Sequence, residues 1–132
     1  MRHIVILFVL LIATASIAAD GSYTTDNSRK LLDECRKGAQ FRDSPSTSSQ
    51  ENLMYFGKCT GYIRGVADGY YLAYMAAGNL PAERRLCLPT SVTNGQLMRV
   101  VVKYLEDNPS QLEVNASFST VLALRKSFPC SP

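Results

Sequence analysis

The chain of 132 residues has no tryptophan and a single histidine. That histidine is His3, inside an apolar leader, so a chain processed behind the leader carries no imidazole. Its loss excludes the Ser/His and Cys/His nucleophile pairs, the HExxH zinc site, catalytic zinc sites built on imidazole, and any pH switch that depends on imidazole. The four cysteines contain no CxxC pair, which argues against a structural zinc site or a thioredoxin-like redox site. Charge is sparse as well. Lys and Arg number 14 against 11 Asp and Glu, a formal net charge of +3, one unit of which is Arg2 in the leader. So small and dispersed an excess gives no nucleic-acid footprint. Behind the leader every apolar stretch is soon broken by a charged residue, so no membrane span is expected in the mature chain.

What is present begins with the leader. Met1-Arg2-His3 supplies a positive start, Ile4 to Ala13 is an unbroken apolar run, and small residues follow at Ala15, Ser16, Ala18 and Ala19. This is the pattern of a secretory signal peptide over residues 1–18, with cleavage after Ala18 or Ala19. The run is shorter than the roughly 20 residues that cross a bilayer. Cys35, Cys59, Cys87 and Cys130 all lie behind it, an even number in a chain bound for an oxidising compartment, and this is the composition of two disulfides.

Residues 19–132 read as one all-α domain of four helices. The first runs for about ten residues from N-caps at Asp26 or Ser28, with Leu31, Leu32 and Cys35 on one face and Gly38 at its C-terminal cap. A polar, Ser-rich loop with Pro45 follows. The second helix opens on a Ser48/Glu51 capping box, continues through Leu53, Phe56, Ile63 and Val66, and stops at Gly78, Asn79 and Pro81. A connecting loop leaves room for one short turn between Ala82 and Leu86. The third helix carries a Thr93/Gln96 capping box and a Val92/Leu97 hydrophobic staple, and ends at Asn108-Pro109. The fourth is capped by Asn115, bears an apolar face of Phe118, Val121, Leu122 and Phe128, and ends at Pro129. If neighbouring helices pack antiparallel, the end of the first meets the start of the second, and the start of the third meets the end of the fourth. That pairs Cys35 with Cys59 and Cys87 with Cys130, each link contributing about 3.5 to 4 kcal/mol by loop entropy.

The second helix is unusual in composition. Gly57, Gly61, Gly65 and Gly69 recur at every fourth position, half of the eight glycines in the chain, and Tyr55, Tyr62, Tyr70, Tyr71 and Tyr74 stand beside them. At up to about 1 kcal/mol per helical glycine, the stripe is a liability of roughly 3 to 4 kcal/mol. Close packing against the empty ridge offsets it, with the first or fourth helix of the same chain as the simpler partner and a second protein as the alternative. Asp68 lies within this segment, four residues after Arg64, where an ion pair on a solvated face accounts for it better than catalysis does.

Taken together, the run from Cys59 to Gly69 (CTGYIRGVADG), Cys87-Leu88-Pro89, Val92-Thr93 with Gln96, Val102 to Leu105 followed by Asn108-Pro109, and Phe128-Pro129-Cys130 resemble the Rap/Tai family of type VI secretion immunity proteins. The resemblance covers about Leu31 to Cys130. It implies a small all-helical periplasmic protein, often a homodimer, that needs no metal or cofactor and is not an enzyme. Its partner would be a toxic peptidoglycan amidase delivered by neighbouring bacteria, inhibited at a cysteine-centred active site. In amidase-specific members a loop enters the toxin's cleft, which points here to Ser110, Gln111 and Glu113 before the last helix. The second candidate is the Asn79 to Arg85 connection, with Arg84 and Arg85 at its tip. An exported envelope-binding or structural protein on the same scaffold is the competing class.

Overall fold

The computed structural model describes residues 27–78 and 80–131; the expected signal peptide and Asn79 lie outside the described residues. The order of elements is α1 (Ser28–Asp43), α2 (Gln50–Ala77), α3 (Asn94–Asp107) and α4 (Ala116–Ser127), with single 3-10 turns at Ala82–Arg84 and Pro109–Gln111. Among the described residues there is no strand, only an isolated bridge between Asn27 and Asn115. The expected four-helix, all-α architecture is borne out.

Each helix starts on a side chain that accepts an otherwise orphaned backbone N–H. Asn27 caps α1, Thr93 forms a reciprocal capping box with Gln96 on α3, and Asn115 accepts from Ser117 and Phe118 on α4. Val92 and Leu97, the two ends of the staple on α3, are both buried. On α2 the cap is Ser49, whose hydroxyl accepts from the Asn52 N–H, and not Ser48 as expected. The Ser48 hydroxyl instead donates to the Gln40 and Ser44 carbonyls, which fastens the loop to the end of α1. Glu51 still sits in the first turn of α2, where a carboxylate favours the positive end of the helix dipole. Gly78 closes α2 at φ 81°, a conformation open to glycine at no steric cost.

The first helix is longer than its sequence suggests. It runs 16 residues to Asp43 and passes straight through Gly38. Gly38 is no cap: it lies where α1 crosses α2, and a Cβ there would sit 2.7 Å from the Phe56 Cα and 2.8 Å from the Phe56 N. One turn beyond, Phe41 packs on Phe56 with ring centroids 5.7 Å apart, so apolar burial carries the helix past the point where a glycine reads as a stop.

Leu31, Leu32, Cys35, Ile63, Leu97, Met98, Val101, Leu105 and Leu124 form the core between the helices. Two disulfides cross-brace it in the expected pairing, Cys35–Cys59 and Cys87–Cys130, each with Cα atoms 5.1 Å apart. Two fully buried hydroxyls are satisfied: the Ser28 hydroxyl donates to the Val114 carbonyl at 2.9 Å and the Thr120 hydroxyl to the Ala116 carbonyl at 2.7 Å. No described helix is long and apolar enough to cross a membrane.

Candidate binding groove

With 28 residues α2 spans about 42 Å, against about 18 Å for the 12 residues of α4. Only part of it can therefore be covered by the bundle. Cys59, Thr60, Ile63 and Ala67 face inward, and the last two turns are largely exposed, with Leu72 at 66% and Met75 at 59%.

The glycine stripe lies on the uncovered side. Among the described residues a Cβ at Gly57, Gly61, Gly65 or Gly69 would meet nothing within 4 Å. The expectation that the stripe seats the first or fourth helix of the same chain is thus overturned. Helix rotation explains why: residues at 57, 61, 65 and 69 lie largely across the helix from Cys59, Ile63 and Ala67, which already hold the core contacts. Close packing inside the chain falls to Gly38 instead.

Between α2 and α4 the open glycines form one side of a groove of about 800 Å³. Gly61, Gly65, Gly69 and Ala73 line it from α2 together with Tyr62, Val66 and Tyr70; Phe118, Val121, Leu122 and Arg125 line it from α4. Phe118 is 55% exposed on its rim. The expected apolar face of α4 is therefore real, but three of its residues face the groove, and the core is met by Ala116, Ser119, Thr120, Ala123 and Leu124. Two neighbouring faces of this helix repeat at helical spacing, and the sequence alone does not rank them. Phe118, Val121, Leu122 and Arg125 carry the i, i+3, i+4, i+7 signal that could have found the groove wall.

Chemically the groove is largely apolar. Its lining contains one ionisable cation, Arg125, and no carboxylate, so it offers no acid–base pair. Asp68 stands apart, exposed at the edge of a concavity of about 500 Å³ lined by Arg64, Tyr71, Tyr74 and Leu88 without a second carboxylate. The expected Arg64–Asp68 ion pair is not formed. Arg64 donates instead to the Asn94 side chain and the Val92 carbonyl, both at 3.1 Å, and so ties α2 to the start of α3. Among the described residues no group of three or more His, Cys, Asp or Glu could hold a metal ion.

The two loops proposed as plugs lie at opposite ends of α4. Ser110, Gln111 and Glu113 precede it and are tied to the start of α1. Ser28 and Arg29 donate their backbone N–H groups to the Val114 and Leu112 carbonyls, and the Arg29 guanidinium pairs with the Glu113 carboxylate, which holds the arginine's pKa above its ordinary value. The Gln111 side chain accepts from the Ser119 hydroxyl at 3.5 Å, leaving Ser110 as the exposed tip. At the far end the Arg84 carbonyl accepts from the Tyr70 hydroxyl, and the Glu83 carbonyl accepts from Arg125. The groove runs along α4 between these two ends.

The chain is thus a small helical domain stapled by two disulfides, with an apolar groove open along its longest helix. The family model for Rap1a immunity proteins matches residues 27–130, a span that includes all four cysteines and the groove, and the chain belongs to that family. No curated protein and no solved structure matches it.

Proposed function

We propose that this immunity protein acts in the periplasm, after removal of residues 1–18, where it binds a peptidoglycan amidase delivered by type VI secretion and blocks its active site. It is an inhibitor and not an enzyme. The observation that carries the reading is the open stripe on α2: four helical glycines are kept where none of the described residues packs on them. Such a face is a standing cost to the monomer and a gain only when another protein lies on it. Two disulfides and the leader pattern support an oxidising compartment. The backbone bonds and ion pair that stiffen residues 112–114 support the Ser110 tip as the element that enters the toxin's cleft, since a rigid loop loses little entropy on binding. The apolar end of α2, with Leu72 and Met75, supports a homodimer.

The test is a sibling-competition assay. Cells lacking the gene should be killed by type VI-proficient siblings, and the exported chain should restore survival while a leaderless copy does not. Equal survival with either copy, or sedimentation of the protein with purified peptidoglycan without any protection, would overturn the proposal in favour of an envelope-binding role.

A further inference from the structure

Two arginines at the end of the groove are unusually placed. Arg85 follows the Ala82–Arg84 turn and Arg125 lies in the last turn of α4; both line a pocket of about 340 Å³ together with Ala82, Glu83, Pro129 and Cys130. In each the Nε is shielded from solvent and has no hydrogen-bond partner. Arg125 spends one terminal nitrogen on the Glu83 carbonyl, while among the described residues the Arg85 side chain makes no hydrogen bond or ion pair, its backbone N–H alone donating to the Ala82 carbonyl. A guanidinium with a desolvated, unanswered N–H is poised for a planar acceptor that takes two parallel hydrogen bonds, and a carboxylate has that geometry. The Cys87–Cys130 disulfide and the Cys87 N–H to Phe128 carbonyl bond at 3.4 Å brace the pocket walls, so the site is built in advance of its ligand.

Arg125 belongs to both concavities, for it also lines the apolar groove between α2 and α4. We infer that groove and pocket are one binding site, and that it takes an apolar helical segment of the protein partner with an Asp or Glu side chain at one end, the carboxylate seated against Arg85 and Arg125. This rests on the reading of the chain as an inhibitor that binds a toxin. The bare stripe at Gly61, Gly65 and Gly69 admits a helix backbone to close range at the common ridge-into-groove crossing, and the adjoining Val66, Val121 and Leu122 supply apolar contact. A second copy of the chain fits less well. Isologous pairing sets a patch against itself, and against two arginines this patch offers one carboxylate, Glu83 at the pocket wall, and none in the groove.

The probe is a pair of stapled helical peptides of about 14 residues, identical in their Leu and Ala stripe, one ending in two glutamates and the other in two glutamines. They are titrated into the isotope-labelled mature protein with both disulfides formed. The glutamate peptide should shift the amide signals of Gly61, Gly65 and Gly69 and the Nε–H signals of Arg85 and Arg125, and should bind about tenfold more tightly than its twin. Arg85→Gln or Arg125→Gln should erase that preference, and Arg125→Lys should keep only part of it. Gly65→Leu should block both peptides while the thermal transition stays in place.

Equal affinity for the two peptides overturns the inference, as does the absence of shifts at the named glycines and arginines. So does a concentration-dependent shift of the same glycines without peptide, which would give the groove to a second copy. In the competition assay the outcomes separate. If the exported wild-type chain protects and the arginine variants protect equally well, the immunity role stands and this site falls. If the wild-type chain fails to protect, it is the immunity role that falls.

Discussion

Gly38 and the stripe from Gly57 to Gly69 are glycines in helices of one small domain, yet they do opposite things. At Gly38 the backbone of α2 comes so near that any Cβ would collide with Phe56, whereas a Cβ at each stripe position would meet none of the described residues within 4 Å. One glycine lets two helices of the chain come together; the other four stand where no described residue packs on them. A glycine in a helix costs the same in either place, so composition does not tell the cases apart. The difference lies in which face is already occupied by core side chains.

The largest effect is expected at the closed crossing. Replacing Cys35 and Cys59 together by Ser removes the cross-link one turn from Gly38, and should lower stability by about 3.5 kcal/mol in the loop-entropy account, read as a large fall in the midpoint of denaturant unfolding. Gly38→Ala should follow, at about 2 to 3 kcal/mol, because the contact is backbone against backbone and neither helix can yield by a rotamer change. In a domain of this size that is a fall of about 10 °C or more in melting temperature. If Gly38→Ala melts with the wild type, the two helices do not cross in backbone contact at Gly38 and Phe56.

The open stripe should respond with the opposite sign. Gly61→Ala with Gly65→Ala is expected to raise stability by about 1 to 2 kcal/mol, since alanine adds helix propensity where it meets no neighbour. The same pair should weaken capture of the partner, because each methyl holds the incoming helix away. A stabilised protein that protects less well would show the four glycines to be retained for binding. Destabilisation would show that the stripe packs inside the chain after all.

Much of this was legible in the sequence, and what was missed has a common physical cause. Local signals held: Thr93 with Gln96, Asn115, the stop at Asn108-Pro109 and the turn after Ala82 are chemistry of the chain with itself over a few residues. The disulfide pairing held too, because antiparallel neighbours leave few alternatives. Signals that depend on a neighbouring element failed. Gly38 reads as a C-cap until α2 is laid across it, and Phe118, Val121 and Leu122 read as core until Ala116, Ala123 and Leu124 are found to occupy that side. Arg64 looked paired with Asp68 at helical spacing, yet the Val92 carbonyl and Asn94 offered it a more buried seat. The plug residues divide in the same way. Ser110 is free at a loop tip, but Gln111 and Glu113 are engaged by Ser119 and Arg29, contacts that no local pattern announces.

The smallest expected effect concerns the turns of α1 beyond Gly38, the stretch that sequence reading cut short. Asp43 closes that helix and is bound by Arg42 at 2.7 and 2.8 Å. The hydrogen bond from Arg42 and the charge behind it hold the Asp43 carboxyl below its ordinary value of 3.8, with Arg99 adding a weaker pull. Because the folded pKa is the lower of the two, the unfolded chain takes up its proton first on acidification. The contribution is complete above 3.8 and is lost as pH falls below that value towards the folded pKa. The pair is exposed and screened, so Asp43→Asn should lower the melting temperature only slightly at neutral pH, and the two proteins should converge in acid. The groove should feel nothing, and peptide binding at Arg85 and Arg125 should be unchanged by the substitution. A loss of binding in Asp43→Asn would mean that the closed crossing and the open stripe are coupled through α2, and the two sets of glycines would then have to be read as one device.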